Sequence, residues 1–498
     1  WLRLNVGRAG MVVVNMQLLS LLIFLPLLCG AVAWFTENKW RGSGNWVSLF
    51  SLTGLLLLSL YLGSLGDSSL SWHWFARFNI HFTLLFDGLA LLMVVLTLAL
   101  AILAVVVSWH EIEQHRGLFH FNLLFSVAGI MGVFLAADLF LFFVFWEVML
   151  IPMTAIILIW GHEKRRYAAI KFFIFTQASS VLMLVAIIAL ALEHQTQTGF
   201  LSFSLAELQI LAFAPKTEYW LMLGFFVAFA VKLPMVPLHS WLPDAHTQAP
   251  TAGSVLLAGI LLKTGAYGLI RIVLPLFPNA TMEFAPIAVT LGVLSIIYGA
   301  LMAYSQTDFK RLVAYSSISH MGFVLLALFS WHEVALQGAI LTIVAHGISS
   351  AALFSMAGMI QHRIHSRELL SMGGMWASAP KMATITLIFV MAGIGMPGMA
   401  NFNGELFTLL GSYHVFPTHT IIAALGIIGS AVYGLHLFQR AFQGPANIDI
   451  TDLHVRELVY SSLLVVALFY FGLQPHIILD LSADTLSSLL SIAKEVKP

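Results

Sequence analysis

Charge is scarce in this chain: Asp, Glu, Lys and Arg make up 9% of its 498 residues, while 60% are hydrophobic. A soluble globular domain carries roughly 25% charged residues, so this composition excludes one over most of the length. Cysteine is scarcer still. Cys29 is the single one, which excludes an internal disulfide and leaves no cysteine cluster for an iron–sulfur centre or a structural zinc. Any electron transfer must happen elsewhere. Neither sign of charge is in excess, with 23 basic and 23 acidic residues placed mainly in loops, so a nucleic-acid surface is not expected. A phosphate loop, a dinucleotide fingerprint and a nucleophile elbow are also missing.

What the chain does have is apolar runs, each long enough to cross ~30 Å of hydrocarbon as a helix. Fourteen spans are expected near 16–35, 46–65, 84–108, 118–137, 139–160, 168–192, 219–242, 250–275, 284–304, 310–329, 334–361, 382–410, 417–440 and 457–475. The fold class is therefore all-α integral membrane. Two stretches read as interfacial rather than spanning: 70–82, with Trp72 and Trp74 beside Arg77, and the mixed segment 200–213. The chain opens WLRLNVGRAG, so Met11 or Met16 is the expected start, and the apolar run that follows lacks a small-residue cleavage site and reads as a retained helix. Basic residues fall mostly in alternate loops, among them Lys164, Arg165, Arg166, Lys310, Arg311, Arg363 and Arg367. The positive-inside rule then keeps those loops cytoplasmic and puts both termini on the periplasmic side.

An internal repeat emerges when LLAGILLKTGAYGLI (256–270) is laid on IAALGIIGSAVYGLH (422–436), with Tyr267 on Tyr433 and Gly268 on Gly434. Ser179-Ser180 matches Ser349-Ser350, and the helix interrupted around Pro234 matches the one around Pro397. The expected organisation is N-terminal helices over 1–117, a first five-helix repeat over 118–275, a second over 284–441, and a C-terminal helix and tail over 442–498. Five is odd, so the second unit must run inverted. Inverted repeats with interrupted helices are a way of building a site at the membrane midplane.

Lys232, in AFAVKLPMVPLHSWLPDAH, falls near the bilayer centre, where a charge is disfavoured by at least ~2.5–3.5 kcal/mol. A lysine whose desolvation and carboxylate neighbour act in opposite senses can be tuned to gain and lose a proton. Pro234 and Pro237 are expected to free the carbonyls of Ala230 and Leu233, which argues for a hydrated interior. The plainer alternative is a static lysine paired for packing. Lys263 is also mid-span, shares a face with Tyr267 and Arg271, and is too deep to snorkel. Glu147 is the single acid of its span and a candidate counter-ion for Lys232.

Glu405 follows the second interruption, GIGMPGMANFNGELF, where Pro397 is expected to free the Gly393 carbonyl and Asn401 and Asn403 add polar groups. Its helix corresponds in the repeat to that of Lys232. His320 and His346 sit mid-span near serines; each alone reads as a packing histidine, but the order Glu147, Lys232, Lys263, His320, His346, Glu405 reads as a proton relay. His239, seven residues beyond Lys232, is a weaker candidate. Asp244 and His246 are expected in a loop, serving an entrance or capping the next helix. His110, His115, His362 and His365 lie near span ends, and nothing in their spacing favours haem ligation over solvated loop positions.

The segments FWEVMLIPM, KLPMVPLHSWLPDAHTQAPTAGSVLLAGILLKTGAYGLIR, SQTDFKRLVAYSSISHMGF and NFNGELF, in that order, resemble the antiporter-like subunits of respiratory complex I. That family is shared with multisubunit cation/proton antiporters and membrane-bound hydrogenases, and the similarity covers about residues 80–440. Glu rather than Lys at 405, and a C-terminus without a long lateral helix, resemble one branch of its paralogous pump subunits. The resemblance implies a proton-translocating subunit of a bacterial inner-membrane NADH:quinone oxidoreductase, assembled with paralogous chains. NAD, FMN, iron–sulfur centres and quinone would belong to partner subunits, with no cofactor and no metal in this chain. It also implies that Glu147 and Lys232 form an ion pair whose opening and closing alters the proton affinity of Lys232, while Lys263, His320 and His346 relay protons toward Glu405. Two rivals stand beside this reading: a subunit of a cation/proton antiporter or hydrogenase, and a membrane spacer that conducts nothing. The two mid-span lysines argue against the spacer.

Overall fold

The computed structural model describes residues 2–445 and 448–496, with side chains described over 17–445 and 448–494. Met11 and Met16 thus lie outside the residues whose side chains are described. Helices α1 (Leu2–Glu37) and α2 (Ser43–Ser64) precede a β-hairpin, β1 (Ser68–Phe75) and β2 (Ile80–Phe86). There follow α3 (Gly88–Val107), α4 (Arg116–Leu135), α5 (Leu139–Trp160), α6 (Arg165–Thr198), α7 (Pro215–Lys232) and α8 (Trp241–Gln248). Then come α9 (Thr251–Leu276) and α10 (Pro278–Tyr304). Helices α11 (Phe309–Phe329), α12 (Glu333–Ile364), α13 (Pro380–Gly393), α14 (Ala400–Tyr413), α15 (Pro417–Phe442), α16 (Val455–Leu473) and α17 (His476–Val496) complete the chain.

Among the described residues, 13 helices are long and apolar enough to cross a membrane, and the protein is a multi-pass membrane protein. All fourteen expected spans are helical, two of them as interrupted pairs, α7/α8 and α13/α14. Two expectations are corrected. The stretch 70–82 belongs to an antiparallel hairpin, where Trp72 stacks on Phe82 at 4.6 Å. The region after 475, read as a tail, is helix α17, whose apolar face packs on α3 and α12. Its Asp and Ser residues leave it the least apolar of the 13.

Carboxylates start three of the central helices. Asp87 accepts from Ala90 N, Asp138 from Phe140 N and Leu141 N, and Asp308 from Arg311 N, satisfying N–H groups that lack a partner in the first turn. The start of α5 is further tied by Leu139 N to Phe203 O and Leu205 N to Ala137 O; the start of α11 carries the same pair, Phe309 N to Arg367 O and Leu369 N to Thr307 O. Helices α9, α11 and α12 form the centre of the bundle, where the mid-helix polar side chains Lys263, His320 and His346 are enclosed. By contrast α1, α2, α16 and α17 line the periphery.

Helix α14 reaches α12 closely because glycines face the contact. A Cβ on Gly404 would come within 2.7 Å of Thr342 N, and one on Gly411 within 2.7 Å of Ala335 Cα. Adding bulk to such a contact typically disfavours the fold by about 1–3 kcal/mol. Gly404→Val should therefore lower the unfolding midpoint of the solubilised protein, whereas Val at Gly54, which has open space around it, should not. Equal midpoints would show that the α12–α14 contact is not tight.

Candidate functional site

The two interrupted helices solve the same backbone problem in the same way. After α7, Leu233 N bonds Phe229 O and Met235 N bonds Ala230 O; after α13, Ile394 N bonds Val390 O and Met396 N bonds Met391 O. The Ala230 carbonyl is therefore occupied, contrary to the expectation that proline would free it. Trp241 Nε1 donates to Val231 O, and Val236 N donates to Ser295 Oγ, so protein groups fill much of the gap. Lys232 is the last residue of α7, where the negative end of a half-helix favours a cation. Glu405 instead lies within the second half-helix, α14. Counted from the bonded methionines, Glu405 sits nine residues past Met396, as Asp244 sits nine past Met235. The two breaks thus match as helices, but Lys232 and Glu405 are not equivalent positions.

Four of the six expected residues form a chain of contacts. Lys263 Nζ donates to Ala258 O at 2.6 Å and lies 2.7 Å from His346 Nδ1. The His346 and His320 rings stand 5.4 Å apart at 47°. His320 Nδ1 donates to Glu405 Oε1 at 2.9 Å, and the Tyr433 hydroxyl is 3.3 Å from His320 Nε2. All five side chains are buried. A cavity of about 20 Å³ beside both imidazoles, also lined by Ser316, Ser349, Ser350 and Tyr433, is large enough for a water molecule. Two π-type turns, Leu257–Leu261 and Leu269–Val273, flank the Lys263 turn of α9, and one of them brings the Ala258 carbonyl to its ammonium.

Glu147 and Lys232 stand apart from this chain and from each other. Glu147 is the carboxylate whose charge reaches Lys232, yet no ion pair within 4.0 Å forms among the described residues. The Lys232 ammonium instead faces the rings of Trp146 at 5.3 Å and Phe172 at 5.4 Å. Neither Lys232 Nζ nor Glu147 Oε1 has a hydrogen-bond partner among the described residues. The direct pair that the resemblance implies is thus absent from this conformation. Further along the same helix, Arg271 Nε donates to the Tyr267 hydroxyl, and Arg271 pairs with Asp87 at 2.6 Å.

Other expectations are corrected. Asp244 and His246 are in helix α8, not a loop, and neither caps α9, whose first turn follows Pro250. Asp244 pairs with Lys171 at 2.7 Å. His246 is fully buried, stacked on Phe354 at 4.6 Å, with Lys263 and Lys310 as its nearest cations and no hydrogen-bond partner on either ring nitrogen. Because α7 ends at Lys232, the seven-residue spacing to His239 crosses the break and sets no common face; His239 packs instead on Tyr298 at 4.9 Å.

Sequence reasoning missed two participants. Lys310, read as a basic loop residue, is buried in the first turn of α11 with Nζ on Ala249 O at 3.2 Å. Its KR neighbour, the half-buried Arg311, disguised it. Tyr433 was visible only as the repeat partner of Tyr267. A wider cavity of about 810 Å³ opens near Lys310, bordered by His110, Glu111, His162, Thr251, His362 and His365. Burial, with Lys310 and Arg367 nearby, pulls His162 down to about 3, so this imidazole is neutral at pH 7. Glu111 accepts from Thr251 N and Oγ1, and its charge reaches Lys310.

The sequence pattern of the family described as the NADH:quinone oxidoreductase/Mrp antiporter transmembrane family matches residues 136–431. This chain belongs to that family. Two family members named NADH-quinone oxidoreductase subunit M are similar to it along nearly their whole length. That of Pseudomonas aeruginosa is 49% identical over 492 residues, covering 94% of this chain and 97% of its own. That of Escherichia coli K12 is 48% identical over 496 residues, covering 95% and 97%. A chain in the structure of respiratory complex I from Thermus thermophilus with bound NADH superposes with a TM-score of 0.88 at 30% identity, over 96% of this chain and 100% of that one. A chain of the Mrp complex from Dietzia sp. DQ12-45-1b shares the fold, with a TM-score of 0.84 at 19% identity over 97% and 99% of the two chains. Of the branches within the family, the relatives are thus of the M type, the one that Glu405 singled out.

The energetics separate a working lysine from a packing one. A buried cation is disfavoured by at least ~2.5–3.5 kcal/mol, while two ring contacts return about 0.5–2 kcal/mol. Lys232→Met should therefore leave the unfolding midpoint unchanged or raise it. A clear drop would mark Lys232 as a structural anchor.

Proposed function

We propose that this chain is a proton-translocating membrane subunit of a bacterial NADH:quinone oxidoreductase, moving protons through buried side chains while partner subunits oxidise NADH and reduce quinone. The observation that carries the reading is the succession Lys263, His346, His320, Glu405, each within contact of the next and all enclosed. Histidine can take a proton on one ring nitrogen and release one from the other, so two in series between a lysine and a carboxylate form a relay. The two imidazoles make no direct hydrogen bond among the described residues, and the cavity beside them has room for one water to carry the proton between the rings.

On this reading Lys232 and Glu147 are a gate whose separation sets how readily Lys232 holds a proton. The histidine-bordered cavity is the uptake side, handing protons through Glu111, Lys310 and His246 to Lys263. Residues 118–275 and 284–441 are the two inverted halves, each built around its interrupted helix. The protein lies in the inner membrane with both termini periplasmic, and its partners are the other membrane subunits of the complex, including paralogous antiporter-like chains.

The experiment is NADH-driven proton uptake by inverted membrane vesicles, normalised to NADH oxidation and to the amount of assembled complex. His346→Leu, which breaks the relay between Lys263 and His320, should reduce proton uptake at least about tenfold, equivalent to ~1.4 kcal/mol of barrier. Wild-type uptake in that variant would remove the histidines from the path. Lys310→Met should impair uptake likewise, and a normal rate would close the proposed uptake branch while leaving the central relay standing.

A further inference from the structure

The surface near the ends of α1 to α4 carries two arginines, Arg41 and Arg116, that form no ion pair among the described residues. A cleft of about 370 Å³ there is bordered by Trp40, Arg41, Asn45, Trp46, Trp109 and Arg116, and no carboxylate lines it. Arg41 makes no hydrogen bond or ion pair among the described residues. Arg116 uses only Nε, donating to Ile112 O at 2.6 Å, so its terminal nitrogens stay available. The acid nearest to Arg41 along the chain, Glu37, has both oxygens committed to the N–H groups of Gly42 and Gly44, each at 2.8 Å. An adjoining cleft of about 380 Å³ shares Arg41 and Arg116 and does contain Glu37 and Glu113, which confines anion recognition to the first.

Position and surroundings say what kind of anion fits. The α3–α4 connection is tied to the end of α5 by Trp160 Nε1 donating to Gln114 O, so the cleft lies on the same face as the basic Lys164–Arg166 turn. Trp46 packs edge-on to Trp109 at 5.1 Å, while Trp40 and Trp46 are 68% and 53% exposed, as aromatic side chains are at a headgroup boundary. Exposed apolar side chains recur at helical spacing on α1, at Leu28, Val32 and Phe35, and on α2, at Phe50 and Leu57, giving each helix an apolar outer wall. A free phosphate would use the arginines alone. A phospholipid would use the arginines, the tryptophans and the wall together.

We propose that this cleft binds the phosphate headgroup of an anionic phospholipid, with Arg41 and Arg116 holding the phosphate and the acyl chains lying along the outer faces of α1 and α2. Arginine matches phosphate oxygens with a planar fork of donors, and each basic side chain at an anionic membrane surface adds about 1 kcal/mol.

The test uses the intact assembly containing this chain, reconstituted in phosphatidylcholine nanodiscs doped with photoactivatable phosphatidylglycerol. After illumination, label should concentrate on peptides covering 34–50 and 109–116. Arg41→Gln with Arg116→Gln should lower that labelling by roughly thirtyfold, in line with two lost charges. Arg41→Lys with Arg116→Lys, which keeps the charge, should retain most of it and so separates recognition from misfolding. Equal labelling in the wild type and the glutamine variant would overturn the proposal. So would equal labelling by photoactivatable phosphatidylcholine, which would mean apolar contact only, or loss of label on adding millimolar inorganic phosphate, which would assign the cleft to a free anion.

Discussion

An ionisable side chain enclosed among hydrocarbon must be answered by another protein group or by water held inside the fold, and that constraint organises the centre of this molecule. Lys263 is answered by Ala258 O and His346, and Glu405 by His320. Because His346 and His320 are themselves titratable, satisfying the constraint produces a string of titratable groups, which on the proposed reading passes a proton. The bundle is arranged to hold that string. Helices α9, α11, α12 and α14 supply one member each, and the glycines between α12 and α14 let the last two approach.

The interrupted helices show one backbone solution carrying two chemistries. Both are closed by matching amide bonds at the turn, and both continue into a second half-helix with an acid at the corresponding place. In the first, that acid is Asp244, held by Lys171 near the edge of the bundle. In the second it is Glu405, turned to His320 in the interior. The same scaffold position therefore anchors a loop-proximal ion pair in one case and terminates the buried string in the other. A functional asymmetry between two similar stretches follows from where the counter-charge sits, without any change of backbone.

Much of this was legible in the sequence because lipid imposes a strict code. Apolar runs of spanning length located the helices, and a charge in such a run is conspicuous, so Glu147, Lys232, Lys263 and Glu405 stood out singly. What failed was whatever depends on local backbone. The hairpin at 68–86 has no turn dipeptide of the Asn-Gly kind, and its aromatic strands resemble an interfacial helix. Proline at 234 predicted a free Ala230 carbonyl, but a wider turn lets Met235 N reach it. Lys310 and His246 were hidden by being next to real loops; burial of a side chain one turn inside a helix end is a tertiary fact that no run of residues encodes.

The geometry also separates two roles that the sequence merged. From Lys263 onward the groups are in contact, but Lys232 is not joined to them by any side-chain bond, although its helix packs so closely on α9 that a Cβ on Gly265 would lie 3.2 Å from the Lys232 Cβ. Proximity of backbones without contact of charges suits a control element better than a link. An ion pair brought to 4 Å gains roughly 4 kcal/mol at an effective dielectric of 20, many times RT. On the proposed reading, a shift of a few ångströms that closes the gap between Glu147 and Lys232 would thus change decisively whether Lys232 keeps its proton. On that same reading, the conformation described here, with the ammonium over Trp146 and Phe172 and the carboxylate beyond pairing distance, is the open position of that element. Because aromatic faces attract a cation without taking its proton, they can hold Lys232 in place while the carboxylate is away. That is why a pair of rings, and not a second acid, is the partner such a gate requires.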